Sequence, residues 1–285
     1  MKTCIICNKK TYFYKQIGKS EIYECFRCKL AHTHNTLKTH SLYSPKGVYA
    51  LNDYLNYKIN HTQKFTRIAD TINKTVKKGP VLEVGAGFGL LSHILSQNKN
   101  YHIEVVEPNL PLHFIQNTNK IQIHKKTYQD FLFQNKKRYD TVILLDVLEH
   151  FENPDKILRQ TKTILNENGN IVLQFPNYKS FIARICRNWS WWMVEDHKYH
   201  FSPSSITLLL KKEGFKIVHM GTYESLHDFK KNLDGNFISI KNAMVRKIMK
   251  SVYFALFFSI YLLMRKLMWK FGFGGLIFII AKQNN

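Results

Sequence analysis

From Val81 onward the chain alternates short apolar runs with stretches of helical spacing. The runs are Val81–Val84, Ile103–Val106, Ile121–Ile123, Thr141–Leu145 and Ile171–Phe175. Alternation of this kind implies βαβ units and a parallel sheet buried on both faces. Pro111 and Pro154 sit where helices can begin. A helix over Pro203–Glu213 and a strand over Phe215–Met220 follow, and after Gly272-Phe273-Gly274-Gly275 comes a strand-like Leu276–Ala281. Upstream, residues 48 to 78 carry Leu51, Leu55, Ile59, Phe65, Ile68 and Ile72, spaced in places by three or four, which predicts helix. The expected fold class is α/β, a doubly wound, mostly parallel sheet. At 285 residues there is room for one large domain and a small appendage.

The appendage is marked by its cysteines. Cys4-Ile5-Ile6-Cys7 and Cys25-Phe26-Arg27-Cys28 form two C-x2-C pairs with 17 residues between them. Two residues between thiolates let both bind one metal from a tight turn, and two such turns supply four soft ligands, which suits zinc. Tyr12, Phe13, Tyr14, Ile22 and Tyr23 between the pairs predict a small ribbon over residues 1–40. With all four positions filled by protein, the zinc would be structural, worth about 10–16 kcal/mol of folding energy. Zinc ribbons bind nucleic acid or protein, and the spacing does not distinguish them. Cys186 stands alone. Cysteines paired for metal, and no apolar stretch after Met1, predict a cytoplasmic, reducing setting.

The first run leads into a glycine turn, Gly85-Ala86-Gly87-Phe88-Gly89. Glycine permits positive φ and lets a ligand approach the main chain. The dinucleotide fingerprint G-x-G-x-x-G would put its third glycine at position 90, which is Leu90, and Glu83 before the turn is also unlike it. Instead, Glu83–Gly89 resembles motif I of the class I S-adenosylmethionine-dependent methyltransferases, E/D-x-G-x-G-x-G. Other stretches resemble later motifs in the same order: Val105-Val106-Glu107-Pro108, Tyr128-Gln129-Asp130-Phe131, Tyr139 to His150, and Asn168-Gly169-Asn170-Ile171-Val172-Leu173. The similarity covers about residues 50 to 223 and resumes at 272 to 282. It implies a Rossmann-like methyltransferase domain over 48–285, with a basic apolar insert at about 235–271. It also implies that Glu83, Gly85, Gly87, Gly89, Glu107, Asp130 and Asp146 hold S-adenosylmethionine, Glu107 at the ribose hydroxyls and Asp130 at the adenine amino group. Within the family the chain is most similar to the ubiquinone-biosynthesis-like, zinc-ribbon-bearing, small-molecule group, associated with lipids or cell-surface saccharides.

Methyl transfer from a sulfonium needs positioning, and for an oxygen or nitrogen acceptor a base as well. Two stretches offer one. Asp146, Glu149 and His150 follow the fourth strand, at the end where ligands bind in such sheets. In the related E-x-x-E-H motif the group is linked to a divalent metal, and here Asp146 replaces the first acid. His197 lies in Glu195–Phe201, after Trp189, Trp191 and Trp192, which could wall a substrate pocket or belong to the core. His150 and His197 are therefore the candidate catalytic residues. Absence of an Asn/Asp-Pro-Pro-aromatic motif disfavours adenine methylation, and absence of a Pro-Cys pair disfavours cytosine-C5 chemistry.

The net charge is +22. One reading is A-rich coding, which favours lysine and asparagine; the other is attraction to nucleic acid or an anionic membrane. The insert bears on the second. From Gly235 to Asn285 there is no Asp or Glu, and Lys241, Arg246, Lys247, Lys250, Arg265, Lys266 and Lys270 bracket an apolar run, Val252 to Met264. Phe257, Phe258, Leu262 and Leu263 lie in its most apolar part. As a helix this run spans ~20 Å against a hydrocarbon core of ~30 Å, so it is expected to lie in the interface rather than span it, the alternative being a helix that covers its own domain or a dimer seam. The sequence thus predicts methyl transfer to a small molecule, lipid-linked or a saccharide intermediate, at the inner membrane face. A nucleic-acid-binding methyltransferase and a non-catalytic scaffold are the competing readings.

Overall fold

A computed structural model of the chain describes residues 3–34, 51–109, 112–115, 118, 120–186, 189–237 and 240–284. The boundary expected between 40 and 48, and Pro111, lie outside them. In chain order the strands are β1 (Tyr12–Ile17), β2 (Ser20–Cys25), β3 (Leu30–His34), β4 (Pro80–Val84), β5 (His102–Val106), β6 (Ile121–His124), β7 (Tyr139–Leu145), β8 (Leu165–Pro176), β9 (Tyr199–His200), β10 (Phe215–Tyr223) and β11 (Leu276–Gln283). Seven form one sheet in the order β10-β11-β8-β7-β4-β5-β6, and these are the seven apolar runs read from the sequence. The chain folds into two compact units, each assembled from separated stretches.

One unit comprises Leu37–Gln174, Leu208–His219 and Ile279–Asn285. Here β4 pairs in parallel with β5 and β7, Leu82 standing opposite Glu104 on one side and Val142 on the other. β5 continues to β6, and β7 to β8. The chain therefore proceeds outward from β4 in one direction and resumes from β7 in the other. In open α/β sheets the carboxyl ends of the two strands at such a switch point are where ligands bind. Leu82, Val142, Ile143, Leu144, Ile171, Val172 and Leu173 are wholly buried, as the near-continuous apolar runs of a covered parallel sheet require. The helix Pro154–Thr163 has its proline in the first turn, where no intrahelical donor is lost. Helices Leu51–Asn56 and Lys58–Thr75 occupy the stretch read as helical upstream.

The other unit comprises Met1–Thr36, Phe175–Thr207 and Met220–Phe278. Its sheet is antiparallel, β1-β2-β3-β9, with Ala31 opposite His200 and His32 opposite Tyr199. A ribbon of this size buries too little apolar surface by itself. It shares a core with distant stretches: Ile22 and Ala31 pack with Tyr178, Ile182, Trp189, Trp192, Phe229, Leu233 and Tyr261. Phe229, on the helix Leu226–Asp234, stacks on Tyr261 at 3.6 Å. The insert continues as Ala243–Tyr253, a wide turn at Phe254–Phe258, and Ser259–Lys270.

Candidate active site and metal centre

The glycine turn joins β4 to the helix Leu90–Leu95. Gly85, Gly87 and Gly89 all have positive φ, at 67°, 59° and 82°. At Gly85 a Cβ would fall 2.5 Å from Val147 Cγ2, and at Gly89 2.7 Å from Ile115 Cγ1. Those two glycines are thus demanded by the turn and its packing before any ligand is considered. Glu83 is buried, and Ser92 donates to it through its hydroxyl and its backbone N–H. Burial raises its carboxyl to about 7 against the pull of those two donors. Tyr54 lies on this side, its ring 4.8 Å from that of Phe88, and burial plus the charge of Glu83 raises its hydroxyl above the usual range.

Glu107, just beyond β5, is also buried. It accepts the Gly87 N–H at Oε2 and the Asn109 N–H at Oε1, both at 3.0 Å. The carboxylate therefore braces the middle of the glycine turn. Each oxygen retains acceptor capacity for a further donor. Asp130 is exposed in the first turn of the helix Tyr128–Gln134, where Thr127 accepts its N–H at 3.2 Å and donates to its Oδ2 at 2.6 Å. This pairing caps the helix.

After β7, Asp146 takes a left-handed conformation, φ 56°, which aspartate tolerates. Its N–H donates to the Gln174 carbonyl and its Oδ2 accepts from Gln174 Nε2, both at 2.8 Å. Lys64 Nζ stands 3.5 Å from the same oxygen, while buried Oδ1 has no hydrogen-bond partner among the described residues. His150, in the short turn Leu148–His150, places Nε2 3.1 Å from the Asp146 carbonyl, and Glu149 beside it is buried. The structure thus adds Tyr54, Lys64 and Gln174 to the residues read from sequence around Glu83, Gly85, Gly87, Gly89, Glu107 and Asp146. Their signal in the sequence is faint: Lys64 is one lysine in a strongly basic chain, and neither it nor Tyr54 belongs to a motif.

His197 and its tryptophans belong to the other unit. His197 is 3% exposed, its Nδ1 lies 3.1 Å from the Trp191 carbonyl, and its own carbonyl accepts from Thr33 Oγ1 at 2.8 Å. Trp189 and Trp192 are core residues there. Cys186 sits in the same core, where burial pushes its thiol up to about 12.

Cys4, Cys7, Cys25 and Cys28 converge, with all four sulfurs within 4.8 Å of one another and Cys7 Sγ 3.6 Å from Cys25 Sγ. Zn–S bonds of ~2.3 Å in a tetrahedron put sulfurs ~3.8 Å apart. Each pair is followed by a left-handed residue, Asn8 (φ 55°) and Lys29 (φ 53°), that turns the chain back. Asn8 N–H donates to the Cys4 carbonyl and Lys29 N–H to the Cys25 carbonyl, both at 2.8 Å. The donor set and its spacing fit a closed zinc site.

Comparison with known proteins agrees with this geometry. Residues 55–220 match the model of a family described as a methyltransferase domain. A Ubiquinone biosynthesis O-methyltransferase of Aeromonas salmonicida (strain A449) is 22% identical over 176 residues, 55% of this chain and 74% of that protein. A SAM-dependent methyltransferase structure from Archaeoglobus fulgidus superposes with a TM-score of 0.54 at 18% identity, covering 82% of this chain and all of that one. The plantazolicin methyltransferase BpumL, solved in complex with SAH, superposes with a TM-score of 0.53 at 16% identity over 86% of this chain and 94% of that one. Those structures share the fold, and the family match spans more than half of the sequence. The chain therefore belongs to the methyltransferase-domain family, with the Rossmann-like fold those structures share.

Proposed function

We propose that the protein methylates a small-molecule acceptor, either a lipid-linked compound or a saccharide intermediate, at the carboxyl ends of β4 and β7. The observation that carries this reading is the tie from Glu107 to the Gly87 amide. It sets an acidic side chain beside the partly exposed main chain at Gly85–Gly87, as a nucleoside ligand requires. The relative whose name places it in ubiquinone biosynthesis supports a small acceptor over a macromolecule.

S-adenosylmethionine supplies an electrophilic methyl group on a sulfonium. Glu107, Asp130 and Oδ1 of Asp146 would hold it, by the family resemblance Glu107 at the ribose hydroxyls and Asp130 at the adenine amino group. Gln174 and Lys64 fix the Asp146 carboxylate. His150, anchored through the Asp146 carbonyl, is the group placed to accept a proton from an acceptor hydroxyl or amine. Cys4, Cys7, Cys25 and Cys28 hold one structural zinc in the other unit.

Incubating the purified protein with methyl-labelled S-adenosylmethionine and a cell extract fractionated into small molecules, lipids, nucleic acid and protein tests the acceptor class. Label is expected in the small-molecule or lipid fraction. Label confined to nucleic acid or protein would overturn the proposal.

A further inference from the structure

The insert presents an apolar face that its own unit leaves uncovered. Residues 243–270 run as helix throughout, about 40 Å at ~1.5 Å per residue. On the inner side Tyr261 is buried, and Tyr253, Phe258 and Met268 pack against the core around Trp192 and Phe229. On the outer side Ile248, Val252, Leu256, Ile260, Leu263 and Leu267 recur at intervals of three and four, each at least half exposed, Leu263 at 85%. Ala243–Tyr253 buries no residue at all. One long row of exposed apolar side chains exceeds the scatter of single apolar residues ordinary on a surface.

Charge says what covers it. No acidic residue occurs from Gly235 to Asn285, while Arg246, Lys247 and Lys250 stand in the first half of the helix and Arg265, Lys266 and Lys270 in the second. Lys247, Lys266 and Lys270 are exposed. A second copy of the chain would bring these cations against themselves. No helix among the described residues is long and apolar enough to cross a membrane. β10 and β11, which precede and follow the insert, are neighbours in one sheet, so both ends of the insert join the same sheet.

We propose that the outer face of residues 243–270 lies flat on a membrane surface rich in anionic lipid, with Leu256, Ile260 and Leu263 in the acyl boundary and the lysines at the headgroups. Of the four residues expected from sequence, Leu263 lies on this face and Leu262 is exposed, Phe258 packs against the core, and the side chain of Phe257 lies outside the described residues. This inference stands apart from the methyl-transfer reading, because cofactor binding is measured separately.

The test is flotation of the full-length protein with vesicles of equal phosphatidylcholine and phosphatidylglycerol, against phosphatidylcholine alone. The wild type is expected to float with the anionic vesicles and to be released as salt rises. The variant Leu256→Ser/Ile260→Ser/Leu263→Ser is expected to lose binding at least ~10-fold while keeping its melting profile and its affinity for S-adenosylmethionine. If the triple variant melts differently, Leu263→Glu, which alters one outward side chain, carries the same test. Wild type that fails to float, variants that float equally well, or a wild-type dimer in sedimentation equilibrium that Leu263→Glu converts to monomer would overturn the proposal.

Discussion

Glu224 shows how a single buried side chain reaches a measurable property of the whole protein. It is 6% exposed, with the Tyr261 hydroxyl donating to it at 3.4 Å, and burial together with the charge of Asp228 raises its carboxyl from 4.5 to about 8. The folded protein therefore holds this proton more tightly than the unfolded chain. The stability it contributes is complete below about pH 4.5 and is lost as the pH rises towards 8. Denaturant unfolding between about pH 5 and about pH 8 is expected to show stability falling, on the order of a few kcal/mol, and Glu224→Gln should flatten that slope. A slope unchanged in the variant would contradict the assignment; a remainder is expected from Glu83, which is raised in the same way to about 7. At this scale the sequence was a partial guide. Glu107 and Asp146 could be named because the stretches after their apolar runs resemble motifs of the methyltransferase family, at the strand ends where ligands bind in such sheets. Lys64 and Gln174 could not, because what makes them matter is a contact with Asp146 across 82 and 28 residues of chain.

Among the elements, the ribbon was legible where its signals are local. The two C-x2-C turns and the aromatic stretch between them give a hairpin closed by Gly18, and the four sulfurs meet as the spacing requires. Its fourth strand was not legible, since β9 has only Tyr199 and His200 to mark it and comes from far downstream. The same distance hides the ribbon's core. Tyr14 lies 6.3 Å from Trp192 ring to ring, and Lys15 Nζ is 5.7 Å from the centre of the same ring. Removal of zinc should therefore be visible in tryptophan fluorescence. Metal analysis is expected to find one zinc per chain, and Cys25→Ser to lose it, with a shifted emission spectrum and a melting temperature several degrees lower. A folded ribbon with no metal would remove the zinc site from the account. In the sequence the insert shows a short apolar run between cations; its longer helix emerges only with the face, Phe258 and Tyr261, that packs on Phe229.

For the molecule as a whole, alternation implies the parallel sheet, but not the switch after β6, where the chain returns to pair β7 with β4. Nor does it imply the composition of the two compact units, since each gathers three stretches of chain that only tertiary packing brings together. The family match covers 55–220 and so rests mainly on the sheet and its motifs. The central claim of the proposed function is that the carboxyl ends of β4 and β7 hold S-adenosylmethionine through the glycine turn and Glu107. Calorimetric titration of the cofactor into wild type, Gly87→Arg and Glu107→Ala tests it most directly. One site per chain is expected in the wild type. Each variant should bind at least ~10-fold more weakly with its melting transition intact, the first by filling space at the turn and the second by removing a charged acceptor. No binding to the wild type, or unchanged affinity in both folded variants, would contradict it.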